Sequence, residues 1–121
     1  MVLATINKSK QLLCLSFIGD VRAAEVAKGR EEVVVLLGEL AAGFRVLADL
    51  SPMDSISTDC APEIGKVMEL CDRKGVSFIV RVIPDITKDI GLAILSHFHY
   101  HTQPRTATCA TMVEAARLLS F

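Results

Sequence analysis

Apolar positions in this chain fall into short unbroken runs that alternate with longer stretches of helical spacing. Val2 to Ile6 and Leu12 to Ile18 are short runs separated by the polar residues Asn7, Lys8, Ser9, Lys10 and Gln11, which predicts two strands joined as a hairpin. The second run is apolar on both faces, as expected of a central strand covered on both sides. Gly19 ends it, and Asp20 stands where the N-cap of a long helix over residues 21–42 would be, with Gly43 beyond its C-terminus. On a helical wheel Val26, Val33, Val34, Leu37, Leu40, Ala41 and Phe44 make one stripe, while Glu25, Lys28, Glu32 and Glu39 lie opposite. Arg30 falls on the buried stripe and Val35 on the exposed one. Either the helix bends near Gly29 or these residues meet a partner, and a glycine inside a helix favours the bend.

Arg45 to Leu50 reads as another strand, followed by a loop through Ser51, Pro52, Met53, Asp54 and Ser55. A second helix starts near Cys60 with Pro62 in its first turn. It keeps Ile64, Val67, Met68 and Cys71 at i, i+3, i+4, i+7 spacing, and Gly75 closes it. Val76 to Ile83 is a β-branched buried strand ended by Pro84. Asp85 or Thr87 then caps a third helix over residues 86–98, carrying Ile90, Ala93, Ile94 and Phe98. Arg105 to Cys109 is a last strand, and Thr111 caps a final helix holding Val113, Ala116 and Leu119. The order predicts an α/β chain that is a single domain over residues 1–121. It has a mostly parallel five-stranded sheet, an antiparallel hairpin strand at its N-terminal side, and about four helices. In such sheets ligands and partners meet the C-terminal ends of the strands, which singles out Gly19–Asp20, Ser51–Asp59 and Pro84–Lys88.

Composition narrows the function by exclusion. Thirteen Lys and Arg against fourteen Asp and Glu give a net charge of −1, which argues against a groove tracking a phosphate backbone. One Tyr, five Phe and no Trp offer few stacking platforms for bases. The longest apolar region, Val33 to Leu50, is interrupted by Glu39, Arg45 and Asp49, so it does not read as a membrane span, which needs about 20 nearly charge-free residues. Val2 to Ile6 is too short for a secretory leader, so the expected location is the cytoplasm. Cys14, Cys60, Cys71 and Cys109 contain no Cys-x-x-Cys pair and read as reduced thiols. His97, His99 and His101 alternate with Phe98 and Tyr100. On a strand they would face one side as the start of a metal site, whereas on the expected helix they diverge, and no carboxylate or Cys lies close in sequence to complete a shell. No Gly-rich phosphate loop or Gly-x-Ser-x-Gly elbow is present, and Cys109 with His101 is a weak nucleophile–base pairing. The expectation is no enzyme, no catalytic residues, no metal and no cofactor.

The stretch Phe17-Ile18-Gly19-Asp20, then Phe44 through Asp49-Leu50-Ser51 and Met53-Asp54-Ser55, an amphipathic helix, and Lys74-Gly75-Val76 before a strand resembles the STAS fold. The likeness in element order spans about residues 2 to 120 and is nearest the stand-alone, SpoIIAA-like anti-sigma factor antagonists. That resemblance implies a regulatory module that binds a protein partner such as a kinase. It also implies an acceptor Ser directly after an Asp, here Ser55 after Asp54, ahead of a helix N-terminus whose N–H groups could receive phosphate. The motif departs from the family's Asp-Ser-Ser-Gly, because Ile56 replaces the second Ser and no Gly follows. The candidate partner-binding or acceptor loop is Asp49, Asp54, Ser55, Ser57 and Thr58. The competing reading makes the hydroxyls plain turn and cap residues and Asp49 an acceptor of loop N–H bonds. Two alternatives stay open: a small apolar ligand, since lipid-transfer domains of the SEC14 type share the fold, sheltered by the apolar faces around Val35, Leu36 and the third helix; and a homodimer, since Val35 is an unexplained surface hydrophobe.

Overall fold

Each apolar run finds a place in one sheet. The computed structural model describes residues 1–85, Leu92, Leu95, Ser96 and residues 99–120. The strands are β1 (Val2–Asn7), β2 (Leu12–Phe17), β3 (Gly19–Val21), β4 (Arg45–Asp49), β5 (Met53–Ile56), β6 (Phe78–Val82) and β7 (Arg105–Cys109). The fully described helices are α1 (Ala23–Leu37), α2 (Cys60–Lys74) and α3 (Met112–Leu118). Leu92, Leu95, Ser96 and His99 are helical; the rest of the expected third helix, including Thr87, Ile90, Ala93, Ile94, His97 and Phe98, lies outside the described residues.

The main sheet has the order β1-β2-β4-β6-β7, with β1 antiparallel to β2 and the other neighbours parallel. Its register sets Leu13 beside Val46 and Val46 beside Ile79, so one row faces α1 and α2. The alternate positions Leu12, Leu47, Val80 and Val82 pack against Ala115 and Leu119 at α3. Both faces of the central strands are therefore covered, which is why β2 and β6 read as continuous apolar runs.

Helix α1 differs from its expected limits. Asp20 does not cap it: Arg22 is the N-cap and its amide donates to the Glu25 carboxylate, while Asp20 lies in β3. The helix stops at Leu37 with Gly38 as C-cap, and Leu40 and Phe44 are buried by the turn that follows rather than by helix. Val34, expected on the buried stripe, is 53% exposed, and the stripe is Val26, Gly29, Val33 and Leu37. Gly29 is used for close approach, since a Cβ there would come within 2.9 Å of Val2 Cγ1. Arg30 is explained by an ion pair with Glu63 of α2 at 3.0 Å, so the charge on the inner side of α1 has its partner in the chain. At α3, Leu119 is buried as expected, whereas Val113 is exposed and Ala115, one step from the expected Ala116, is the buried residue within the helix. Thr111 caps it as expected, its Oγ1 accepting from the Glu114 amide.

Helix α2 begins at Cys60 and ends on Gly75, which adopts φ 97 and ψ 44. A Cβ at Gly75 would also meet the Ala42 Cβ at 3.2 Å. Gly75→Ala is therefore expected to cost about 1–2 kcal/mol in urea unfolding, from the left-handed backbone plus the tightened contact. An unchanged midpoint would contradict the αL assignment.

Candidate functional site

The loops after β2 and β4 lie at the C-terminal ends of the parallel strands, and the chain brings them together. Gly19–Val21 pairs in parallel with Met53–Ile56 as a separate two-stranded sheet, Asp20 opposite Ser55 and Val21 opposite Ile56. Main-chain bonds close both ends of this clip: the Gly19 amide donates to the Pro52 carbonyl at 2.9 Å and the Ser57 amide to the Val21 carbonyl at 3.1 Å. Val21 is buried and anchors the clip in the core.

Each expected site residue now has a place. Ser55 does not precede the helix: it sits in β5, five positions before Cys60, and its hydroxyl donates to Asp20 Oδ1 at 2.6 Å. The helix-dipole site expected for it is therefore absent at Ser55. The mixed run Met53, Asp54, Ser55, Ile56 has too little apolar alternation to announce a strand, and its pairing partner lies more than thirty residues away. Ser57 stands at the foot of α2, donating to Asp59 and lying 3.3 Å from Cys60 Sγ, while its carbonyl accepts from the Cys60 amide at 3.1 Å. The Thr58 carbonyl faces the Ala61 amide at 3.4 Å, and its side chain is exposed. Asp54 is exposed beside Ser55. Asp49 accepts from the Ser51 amide at 3.0 Å and from the Ser51 hydroxyl at 2.6 Å, bracing the start of the loop.

Two notches flank this clip. One is polar, lined by Asp20, Val21, Arg22, Ser55, Ile56, Ser57 and Asp59. The other is more apolar, lined by Leu50, Met53, Ile56, Ile83 and Pro84 with Ser51, Asp85 and Leu92. Ile56 belongs to both and is 37% exposed, so an apolar side chain stands on the ridge between them. Sequence reasoning placed Asp20 and Ile56 in the loops at the strand ends but missed the pairing that makes Asp20 the partner of Ser55 and sets Ile56 on the ridge.

Elsewhere the side chains serve structure. His99 Nδ1 lies 2.9 Å from Glu69 Oε1, with its ring over Gly65 of α2. His101 is exposed and gives its amide to Asp72. Among the described residues no three His, Cys, Asp or Glu side chains gather in a metal-holding cluster. The four cysteines are free. Burial raises the Cys14 and Cys109 thiols above their usual range and pushes Cys71 up to about 12, which keeps these thiols protonated and poorly nucleophilic. Between the sheet, α1 and α2 lies a cavity of about 70 Å³, lined by apolar residues such as Leu15, Val33 and Met68, with Arg30, Arg81 and Tyr100 also on its wall. It is less than half of the ~150 Å³ that admits benzene to an engineered apolar cavity. Leu92, in the expected third helix, lines it, whereas Val35 and Leu36 do not. No helix among the described residues is long and apolar enough to cross a membrane.

No family model matches this chain, and no curated protein matches it. Solved structures do. The anti-sigma factor antagonist SpoIIAA in its unphosphorylated form superposes with a TM-score of 0.64 at 13% identity, covering 99% of this chain and 98% of that one. An uncharacterized protein of the DUF3478 family with a SpoIIAA-like fold, from Shewanella loihica, gives a TM-score of 0.73 at 12% identity over 98% of this chain and 92% of its own. An anti-sigma factor antagonist from Mycobacterium paratuberculosis gives 0.62 at 11% identity over 100% of this chain and 94% of its own. The chain thus has the SpoIIAA-like, STAS-type fold that its element order pointed to.

Proposed function

We propose that this chain is a non-enzymatic regulatory module of the cytoplasm that docks a protein partner on the β3–β5 clip and the foot of α2, and that phosphorylation of Ser55 opens the clip and releases the partner. The observation that carries this reading is the pairing of an exposed hydroxyl, Ser55, with a carboxylate, Asp20, across the two short strands of the clip. Unmodified, Ser55 donates to Asp20 and closes the clip. A phosphoserine there loses its donor and sets close to two negative charges against Asp20, with Asp54 adjacent, so the same pair turns from attraction to repulsion. Ile56 on the ridge supplies the apolar anchor of the docking surface, and the polar notch beside it supplies hydrogen-bond specificity. The structural neighbours named as anti-sigma factor antagonists support a regulatory, partner-binding role.

The test combines two measurements on protein purified from its own host. Peptide mapping is expected to find a phosphate on the segment carrying Ser55, and Ser55→Asp is expected to lose the partner that the unmodified chain and Ser9→Asp retain. Absence of phosphate on that segment, or equal retention by Ser55→Asp and Ser9→Asp, would overturn the reading.

A further inference from the structure

Arg22 stands on the same side of the clip as Asp20 and Ser55 and has no task in the switch described so far. It follows β3 directly and keeps an extended backbone, φ −115 and ψ 158, so the alternation of the strand continues through it. Val21 points into the core, whereas Asp20 and Arg22, two positions apart, project from the opposite side. Ser55 shares that side, because its hydroxyl reaches Asp20. The register that sets Asp20 beside Ser55 and Val21 beside Ile56 sets Arg22 beside Ser57. Ser55 and Arg22 are therefore diagonal neighbours across the paired strands, roughly 7–8 Å apart and within reach of a long side chain. All four residues line the polar notch together with Asp59, and Arg22 is the only cation among the residues that line it.

Arg22 is exposed, and among the described residues its guanidinium forms no ion pair. The Glu25 carboxylate near it is bonded instead to the Met1 amine at 2.5 Å and to the Arg22 amide at 3.2 Å. A phosphate on Ser55 changes the balance on this side of the clip. It no longer donates to Asp20, it carries close to two negative charges, and the planar fork of Arg22 matches two of its oxygens. We infer that Arg22 receives the Ser55 phosphate: the phosphoserine leaves Asp20 and pairs with the Arg22 guanidinium, which stabilises the opened clip against return to the Ser55–Asp20 arrangement. Arg22 is also the N-cap of α1, so a modification on β5 is carried to the start of that helix. The inference rests on the reading of Ser55 as a phosphate acceptor.

Phosphorus NMR titration of the intact chain tests it, with phosphoserine installed at position 55 during synthesis so that the result does not depend on a kinase. The second ionisation of phosphoserine lies at about pH 6. A guanidinium against the phosphate favours the dianion and lowers that midpoint, whereas Asp20 and Asp54 raise it. Arg22→Gln is expected to raise the midpoint by about 0.5 pH unit or more at low ionic strength, a difference that shrinks in about 1 M salt. Arg22→Lys, which keeps the charge, should keep most of the lowering. Phosphoserine at position 9, in the turn at the other end of β2, should titrate alike with and without Arg22. A midpoint unmoved by Arg22→Gln, or moved as far at position 9 as at position 55, would overturn the assignment. A lowered midpoint in a chain that its own host never phosphorylates would sink the switch and not this pairing, so the two failures are told apart.

Discussion

Phe44→Ala is expected to lower the free energy of unfolding by about 3–5 kcal/mol, measured by urea denaturation at neutral pH. Phe44 has no exposed surface and belongs to the cluster that joins α1, α2 and the sheet. Its backbone is tied independently of the ring: its amide donates to the Ala41 carbonyl at 3.2 Å, and its carbonyl accepts from the Ser77 amide at 2.8 Å. The neighbours therefore have little freedom to collapse into the space that the ring leaves, which places the cost toward the upper part of that range. A domain with a total stability of roughly 5–15 kcal/mol loses much of its margin with this one change. A loss below about 1 kcal/mol would mean that the site repacks and that Phe44 is not a core residue.

Asp72→Ala is the second large effect. Asp72 on α2 is 7% exposed and accepts three bonds from the segment after His99: the His101 amide at 3.2 Å, the Thr102 amide at 3.2 Å and the Thr102 hydroxyl at 2.6 Å. Burial works against its charge, but the bonds from Thr102 and His101 outweigh it and hold the carboxyl below its usual range. Removing it leaves these donors without their acceptor and frees the approach to β7, a loss of about 2–3 kcal/mol at neutral pH. The sign of the pH dependence follows from the depressed value. The contribution is complete above about pH 4, the ordinary range of an unfolded Asp, and is lost as pH falls through the lower folded value. The gap between the wild-type chain and Asp72→Ala should therefore narrow in acid and stay constant from neutral to mildly alkaline pH. A gap that widens in acid would contradict this role.

The elements that were legible in the sequence are those that bury a regular face. Helix α2 keeps one apolar stripe between an N-terminal Pro62 and a C-terminal Gly75, and both signals act within a turn of the helix end. Strand β7 has the limits that the sequence predicts, Arg105–Cys109, despite its polar residues. Helix α1 was over-extended because Leu40 and Phe44 fall at helical spacing by coincidence: they are buried from a turn, and periodicity alone does not separate the two cases.

The candidate site was legible in place but not in pairing. The rule that partners meet the C-terminal ends of parallel strands identified both loops that form the clip. The Ser55–Asp20 bond joins residues far apart in sequence, and three- and four-residue strands of mixed polarity leave no periodic trace. Asp20 also satisfied a competing rule, since an Asp before an amphipathic stretch is a good N-cap. Only the pairing of β3 with β5 decides between the two roles.

The switch itself is tested most directly by amide hydrogen exchange on the intact chain carrying phosphoserine at position 55, compared with the unmodified chain and with Ser55→Ala. Phosphoserine is expected to speed exchange at the amides of Gly19 and Ser57, whose bonds to Pro52 and Val21 close the ends of the clip, while the amides of β2, β4 and β6 keep their protection. Ser55→Ala, which removes the bond without adding charge, should give a smaller change at the same amides. Equal protection in the phosphorylated and unmodified chains would contradict the clip as a phosphate-operated device.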